Sequence, residues 1–158
     1  MNRRDVSTWI SGPREALESQ GYELGYRGER LGLPEAGVGS VASYGRRVGA
    51  LFIDWIASAI VAQLIFPQYP YGSQSSALAT LGVFFVVKTV FTILGGASFA
   101  QRLLGIRVSS LRSPYVDPLR ATLRTFLICL VIPAAIWDRD GRGLHDRAAR
   151  TVVLKARP

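Results

Sequence analysis

Cysteine is nearly missing from this chain. Its 158 residues hold one, Cys129, set in an apolar run. An intrachain disulfide and a cysteine metal cluster are therefore excluded. Histidine is as scarce: His145 stands alone, which rules out a His-rich metal site, and beside Asp146 it reads as a surface residue. Lysine is outnumbered by arginine, 2 against 17. There is no phosphate-binding loop, no dinucleotide-binding glycine pattern and no nucleophile elbow. No nucleophile–base pair or metal set can be assembled, so an enzyme is not expected and no cofactor is implied. The first 47 residues contain no apolar run. A cleaved secretory signal is thus not expected there, and the first hydrophobic helix is expected to serve as an uncleaved anchor.

Acidic residues are also few, 11 against 19 basic ones, for a formal net charge of +8 and a pI near 10.4. Such a balance is compatible with nucleic-acid binding, but most of the excess lies beside apolar runs. Arginines so placed fix membrane orientation, and a nucleic-acid partner is not expected. Hydrophobic residues make up an ordinary 49%. The informative feature is their segregation, because long apolar runs begin only after Arg47.

Residues 1–43 read as a polar, largely flexible cytoplasmic arm. Trp9 to Gln20 is suited to a short helix, with Pro13 in its first turn and Gly21 as its stop. So short a helix is marginal in water without a partner or a membrane surface. Gly21 to Ser40, with six glycines and Pro34, reads as a linker.

Val48 to Phe66 offers 19 residues with one charge, Asp54, and Ala77 to Gly95 another 19 with one charge, Lys88. Each spans roughly 28 Å as a helix, close to the hydrocarbon thickness. The uncharged Pro67–Ser76 turn, with Tyr69 and Tyr71, suits the exported side. The two runs predict a transmembrane helical hairpin. A third helix is expected over about 120–137. Its uncharged part, Thr125 to Trp137, has only 13 residues and contains Pro133. Residues 96–124 carry five Arg against one Asp, and residues 138–158 six Lys/Arg against three Asp. Both flanks therefore favour the cytoplasm, which points to a re-entrant or interfacial element over a short third span. Leu103 to Val108 and Thr151 to Leu154 are β-like. They either pair as a small cytoplasmic ribbon or lie apart at the interface.

An ionisable group within a span costs about 2.5–3.5 kcal/mol on insertion scales, so Asp54 needs a partner or a role. Arg47 lies seven residues earlier on the same helix face, about 10 Å away along the axis. With the hairpin turning near Tyr71, Asp54 lies 17 residues before the turn and Lys88 17 after it. Antiparallel packing then puts both charges at one depth, about 10 Å from the cytoplasmic edge. Asp54 is either a proton or cation site or half of an ion pair that fixes helix register. Ser58, Gln63, Thr89 and Thr92 offer polar groups that either join such a site or bond between helices. In the tail, Asp146 can pair with Arg47 or with an arginine of residues 96–124. Arg102, Arg107, Arg120 and Arg124 are expected at the cytoplasmic edge, on lipid headgroups.

Three motifs in order carry a resemblance. Tyr44 to Trp55 (YGRRVGALFIDW), Gly96 to Val108 (GASFAQRLLGIRV) and Arg142 to Val153 (RGLHDRAARTVV) resemble the RDD family of bacterial membrane proteins, named for one Arg and two Asp. Arg47 matches the Arg, Asp54 the first Asp and Asp146 the second. Gln101 stands where the family often has Lys, and Lys88 has no assigned place in the pattern. The resemblance covers about residues 44–155 and implies two helices plus a third apolar element. It also implies an inner-membrane location, with some members linked to cation/proton exchange or broader transport.

The expected fold is an all-α membrane protein with a transmembrane hairpin, a third short apolar helix and an optional cytoplasmic ribbon. Two functions compete. In the first the chain is a cation/proton transport component, in which Asp54 binds the ion, Lys88 tunes it, and Arg47 with Asp146 forms an inner gate. In the second it is an accessory or scaffold protein that holds a partner or anionic lipid through its basic segments. In either case it is expected to be multi-pass with a cytoplasmic N-terminus, and to work as a homo-oligomer or beside a partner membrane protein.

Overall fold

The computed structural model describes residues 18, 20–23, 25–113, 115–130 and 142–158. The helix expected over Trp9–Gln20 falls almost wholly outside them, as does the 131–137 part of the third apolar stretch. Helix α1 runs Tyr44–Ile65 and α2 runs Gln74–Gly95, each of 22 residues. At 1.5 Å per residue each is roughly 33 Å long. They pack side by side as a hairpin, and both are long and apolar enough to cross a membrane. Both start earlier than the apolar runs at Val48 and Ala77. The helical hydrogen bonds simply continue through the polar turns that precede each run. Ser73 caps α2 by accepting from the Ser76 N–H at 3.1 Å.

The faces of these helices are inverted relative to a water-soluble protein. The buried stripe of α1 is Arg47, Ala50, Asp54, Ser58 and Ala62, and that of α2 includes Thr80, Lys88, Thr89 and Thr92. Their outer faces carry exposed Phe52, Ile56, Ile60 and Leu64 on α1, and Leu78, Val86, Val90 and Leu94 on α2. Apart from Phe84, which is buried on α2, the inward residues are small or polar, while many large apolar ones point out.

Gly96 ends α2 in a left-handed conformation (φ 65°). A side chain there would press within 3.3 Å of the Val108 carbonyl, and the Val108 N–H donates to the Gly96 carbonyl at 2.6 Å. This turn starts α3, Phe99–Leu103, whose N-terminus carries a reciprocal capping box between Ser98 and Gln101. Strand β1 (Ile106–Ser110) follows, then α4 (Pro118–Cys129), α5 (Leu144–Ala148) and β2 (Thr151–Lys155).

The two β-like runs do pair. β1 and β2 are antiparallel, from Ile106 opposite Lys155 to Ser110 opposite Thr151. The pairing begins at Ile106 because Leu103 still belongs to α3. The linker reading of the arm needs correction at its C-terminal part. Val41 bridges Leu154, the Ala42 N–H donates to the Val153 carbonyl at 2.9 Å, and the Lys155 N–H donates to the Ser40 carbonyl at 2.9 Å. Residues 39–42 thus lie along β2. This explains why Thr151 to Leu154 are all buried: Val153 faces Ala42, Ala50 and Ala100, while Val152 and Leu154 face Val41, Leu31 and Leu33. Val41→Asp would place a charge in that second cluster and should cost about 2–4 kcal/mol, read as a lower midpoint of thermal unfolding in detergent.

Helix α4 repeats the inverted pattern. Ala121, Arg124, Thr125 and Ile128 are buried, while Leu119, Leu123, Phe126 and Leu130 are exposed. It starts beside the ribbon, where Val116 and Ala121 join the core formed by Ile106, Val108 and Val153. Its far end, Ile128 and Cys129, meets Leu81 and Phe84 around an apolar cavity of about 350 Å³. Those two residues lie roughly 16–21 Å along α2 from Gly95. After residue 142 the described chain is again at the ribbon end, since α5 packs on both α4 and β2.

Candidate functional site

Two buried charge clusters occupy the ribbon end of the hairpin. The first is assembled by α1, α2 and the cap of α3. Asp54 and Lys88 share a depth and also face each other: Lys88 Nζ donates to Asp54 Oδ2 at 2.5 Å. The Ser98 hydroxyl donates to the same oxygen at 2.5 Å, and the Ala100 N–H donates to Oδ1 at 3.1 Å. Lys88 also reaches Ser98 Oγ at 3.4 Å. Only 1% of the Lys88 surface is exposed. The carboxylate therefore has a charged donor, a hydroxyl and a backbone amide, which is the degree of satisfaction a buried ion pair requires.

Ser98 and Ala100 escaped the sequence reading. The signal was present, because Ser98-Phe99-Ala100-Gln101 is a capping-box pattern and marks a helix start with free N–H groups. Gln101 serves that box: its side-chain oxygen accepts from the Ser98 N–H at 2.9 Å, and the residue is buried. The hydroxyls of Ser58 and Thr92 do not bond between helices. They donate to the Asp54 and Lys88 carbonyls of their own helices, each at 2.7 Å. Gln63 likewise bonds the Tyr69 carbonyl at the hairpin turn, at 3.2 Å.

The second cluster is centred on Asp146, which α5 presents with no exposed surface. Arg124 Nε donates to Asp146 Oδ1 at 2.6 Å, and the Thr151 hydroxyl donates to the same oxygen at 3.2 Å. Arg47 Nη1 lies 3.9 Å from Oδ2, and its Nη2 donates to the Val153 carbonyl at 3.2 Å. Asp146 thus joins both candidate partners, Arg47 and an arginine of the 96–124 segment. Arg47 serves this cluster although it shares a helix face with Asp54. His145 Nε2 is 3.4 Å from Oδ2.

Two expectations fail here. Arg124 is not on lipid headgroups: it lies on the inner face of α4, buried against Asp146. His145 is not a surface residue, since it is buried beside the same carboxylate. In both cases the cause is the inverted face of α4, which turns its polar side toward α5. Of the other edge arginines, Arg102 and Arg107 are exposed and Arg120 is half-buried. Among the described residues no group of three or more His, Cys, Asp or Glu is placed to hold a metal ion.

Burial works against the charged form of Asp146, but Arg124, then His145 and Arg47, outweigh it and hold the carboxyl at about 2, below its ordinary 3.8. A carboxylate depressed in the folded state stabilises the fold fully above its unfolded value. That stability is lost as pH falls from about 4 toward 2, and at neutral pH it is about 2 kcal/mol. The wild type should therefore lose thermal stability over this window more steeply than Asp146→Asn, as measured by unfolding in detergent at stepped pH.

The first cluster joins a carboxylate, an ammonium and a hydroxyl in a dry setting. Such a set can hold a proton or a small cation, because one positive charge can replace another beside the carboxylate. Among the described residues the second brings two guanidinium groups and the His145 imidazole to one carboxylate, and ties α1, α4, α5 and β2 together.

No curated protein and no solved structure matches the chain. A family model described as RDD family matches residues 41–150. That range contains the buried Arg47, Asp54 and Asp146 together with helices α1 to α5 and strand β1, and the chain belongs to the RDD family.

Proposed function

We propose that this chain is a multi-pass inner-membrane protein that takes part in cation/proton exchange, with the Asp54–Lys88 pair as its exchange site. Membrane placement is supported by the inverted faces: α1, α2 and α4 all bury polar stripes and expose large apolar ones. Basic segments gather at the ribbon end, which favours that end and the N-terminus on the cytoplasmic side. The described flanks of the third apolar stretch both lie at this end, which supports an element that enters and returns over a third span.

The observation that carries the exchange reading is the 2.5 Å Lys88–Asp54 contact between two helices apolar enough to cross a membrane. Charge conservation makes exchange feasible there. An incoming monovalent cation beside Asp54 can replace the proton released by Lys88, and the buried net charge stays zero. Neither state then leaves an uncompensated ion in low dielectric. Ser98 Oγ, already on Asp54 Oδ2, would remain as a second oxygen ligand. Arg47 with Asp146 would form the inner closure. Two helices and a short third element have too little surface to enclose a path alone, so the working form would be a homo-oligomer or a complex with another membrane protein.

The test is cation-driven proton movement in inverted vesicles. Wild type should exchange above empty membranes, while Asp54→Asn should lose at least tenfold of the rate at equal insertion. Wild type at background across several cations would sink the reading.

A second reading has its own observation. Arg102 and Arg107 are exposed beside exposed Leu103, and half-buried Arg120 beside exposed Leu119. This surface suits an accessory protein that docks a partner or anionic lipid, with no catalysis of its own. Removing residues 1–25 would spare the segment docked on β2. A phenotype lost with that deletion and kept in Asp54→Asn would favour the accessory role.

A further inference from the structure

The hairpin carries a groove that leads to the ion pair. A recess of about 180 Å³, lined by Asp54, Lys88, Val61, Val87, Phe91 and Phe99, opens between α1 and α2. Its wall is apolar except at the pair itself and at Ser58, whose hydroxyl is turned to the Asp54 carbonyl of its own helix. Val61, Val83 and Val87 are shared with a larger groove of about 690 Å³ that continues to Phe66 and Tyr69 at the hairpin turn. The exposed Arg102 stands at the ribbon end of this surface. Its guanidinium lies 5.9 Å from the centre of the Phe91 ring, and Phe99, one turn earlier on α3, lines the same recess. Gly95 leaves the room for this pose, since a Cβ there would collide with Arg102 Nη2. Arg102 makes no ion pair with a carboxylate among the described residues.

An exposed guanidinium over the end of an apolar groove is complementary to one kind of molecule, an anionic group carrying a long hydrocarbon chain. Arg102 is seven residues past the end of α2 in sequence but lies against Gly95, the last residue of that helix. This is the level at which a lipid phosphate sits if α2 crosses the bilayer. From Gly95 to Val83 is roughly 18 Å along the helix, about one leaflet of hydrocarbon.

We propose that the hairpin binds one anionic phospholipid of the inner leaflet, its phosphate on Arg102 and one acyl chain in the recess over Asp54 and Lys88. The chain would shut lipid-side access to the ion pair, so its presence would keep the pair dry. The proposal rests on membrane placement and does not depend on exchange activity.

The experiment uses the full-length protein in vesicles of phosphatidylcholine with about one lipid in five as phosphatidylglycerol, with a photoreactive group on the acyl chain of one lipid or the other. Flotation first establishes insertion. Labelling should concentrate on Val61, Val87, Phe91 and Phe99. Phosphatidylglycerol should label them about fivefold more than phosphatidylcholine, the factor expected for one basic group near an anionic surface. Arg102→Gln should remove the preference. So should Gly95→Ala, a change that suits a helix but displaces the guanidinium. Equal labelling by the two lipids, an even spread around α1 and α2, or chain-to-chain crosslinks at these positions in place of lipid would overturn the proposal. Protein that fails to float would overturn the membrane reading itself, and inserted protein without the preference would overturn this inference alone.

Discussion

Lys88→Met should lower the unfolding free energy by about 3–5 kcal/mol, and adding Asp54→Asn to it should restore most of the loss. The argument begins from burial. Lys88 is 1% exposed and, among the described residues, its ammonium is the one full positive charge on the Asp54 carboxylate. Methionine keeps much of the length and apolar contact of the lysine stem, so the packing beside the Phe84 ring is largely retained. What is lost is the neutralising charge, and among the described residues the Asp54 carboxyl keeps the Ser98 hydroxyl and the Ala100 amide. Those two dipoles cannot replace a neutralising ion. Asparagine in the double variant removes the stranded charge while its side-chain oxygen can still accept from Ala100. Thermal unfolding of the purified protein in mild detergent gives the ordering: wild type, then the double variant, then Lys88→Met. A double variant no more stable than the single one would mean that the pair does not hold the hairpin, and that Asp54 tolerates isolation.

That pair is legible in the sequence because it needs only arithmetic. Two apolar runs of helical length, a turn between them and one charge in each constrain depth to within a turn of helix. Facing does not follow from depth, and it is the α1 stripe at three- and four-residue spacing from Arg47 to Ala62 that supplies it. The placement of Arg124 is illegible for a related reason. Hydropathy marks α4 as weakly apolar with basic residues at its start, which resembles a membrane-edge helix. Only the packed structure shows that Leu119, Leu123 and Phe126 form its outer face and that Arg124 points in. A short helix with arginines supports both arrangements until its neighbours are known.

The docked arm is harder still. Residues 39–42 follow a glycine-rich stretch and contribute a single isolated bridge, too short for any strand periodicity. The clue lies in the partner: Thr151 to Leu154 reads as four consecutive residues of strand type without alternation, as a strand covered on both faces does. A two-stranded ribbon with one open face does not bury all four. The missing cover has to come from elsewhere in the chain, and Leu31, Leu33 and Val41 provide it.

Asp146→Asn should be the most damaging single change in the second cluster, costing about 3–5 kcal/mol, whereas Arg47→Gln should cost clearly less. The difference follows from counting charges. Among the described residues Asp146 is the one carboxylate that meets both Arg124, at 2.6 Å, and Arg47, at 3.9 Å. With it neutralised, two buried guanidinium groups face each other across an amide. Their repulsion adds to the loss of the charge-assisted bond from Arg124 Nε. Removing Arg47 instead leaves Arg124 and Asp146 as a balanced pair, still supported by the Thr151 hydroxyl at 3.2 Å, and forfeits the bond to the Val153 carbonyl. The Arg124–Asp146 contact should show a coupling of about 1–3 kcal/mol in a double-mutant cycle. The ribbon is the place to look for the effect, because Asp146 links α4 to β2 through Arg124 and Thr151. Hydrogen exchange in Asp146→Asn should rise at Val152 to Lys155 and at Ile106 to Ser110 before it rises in α1 or α2. Equal losses in Asp146→Asn and Arg47→Gln, or exchange rising first in the hairpin, would show that the two arginines share the carboxylate evenly and that the cluster holds the helices, not the ribbon.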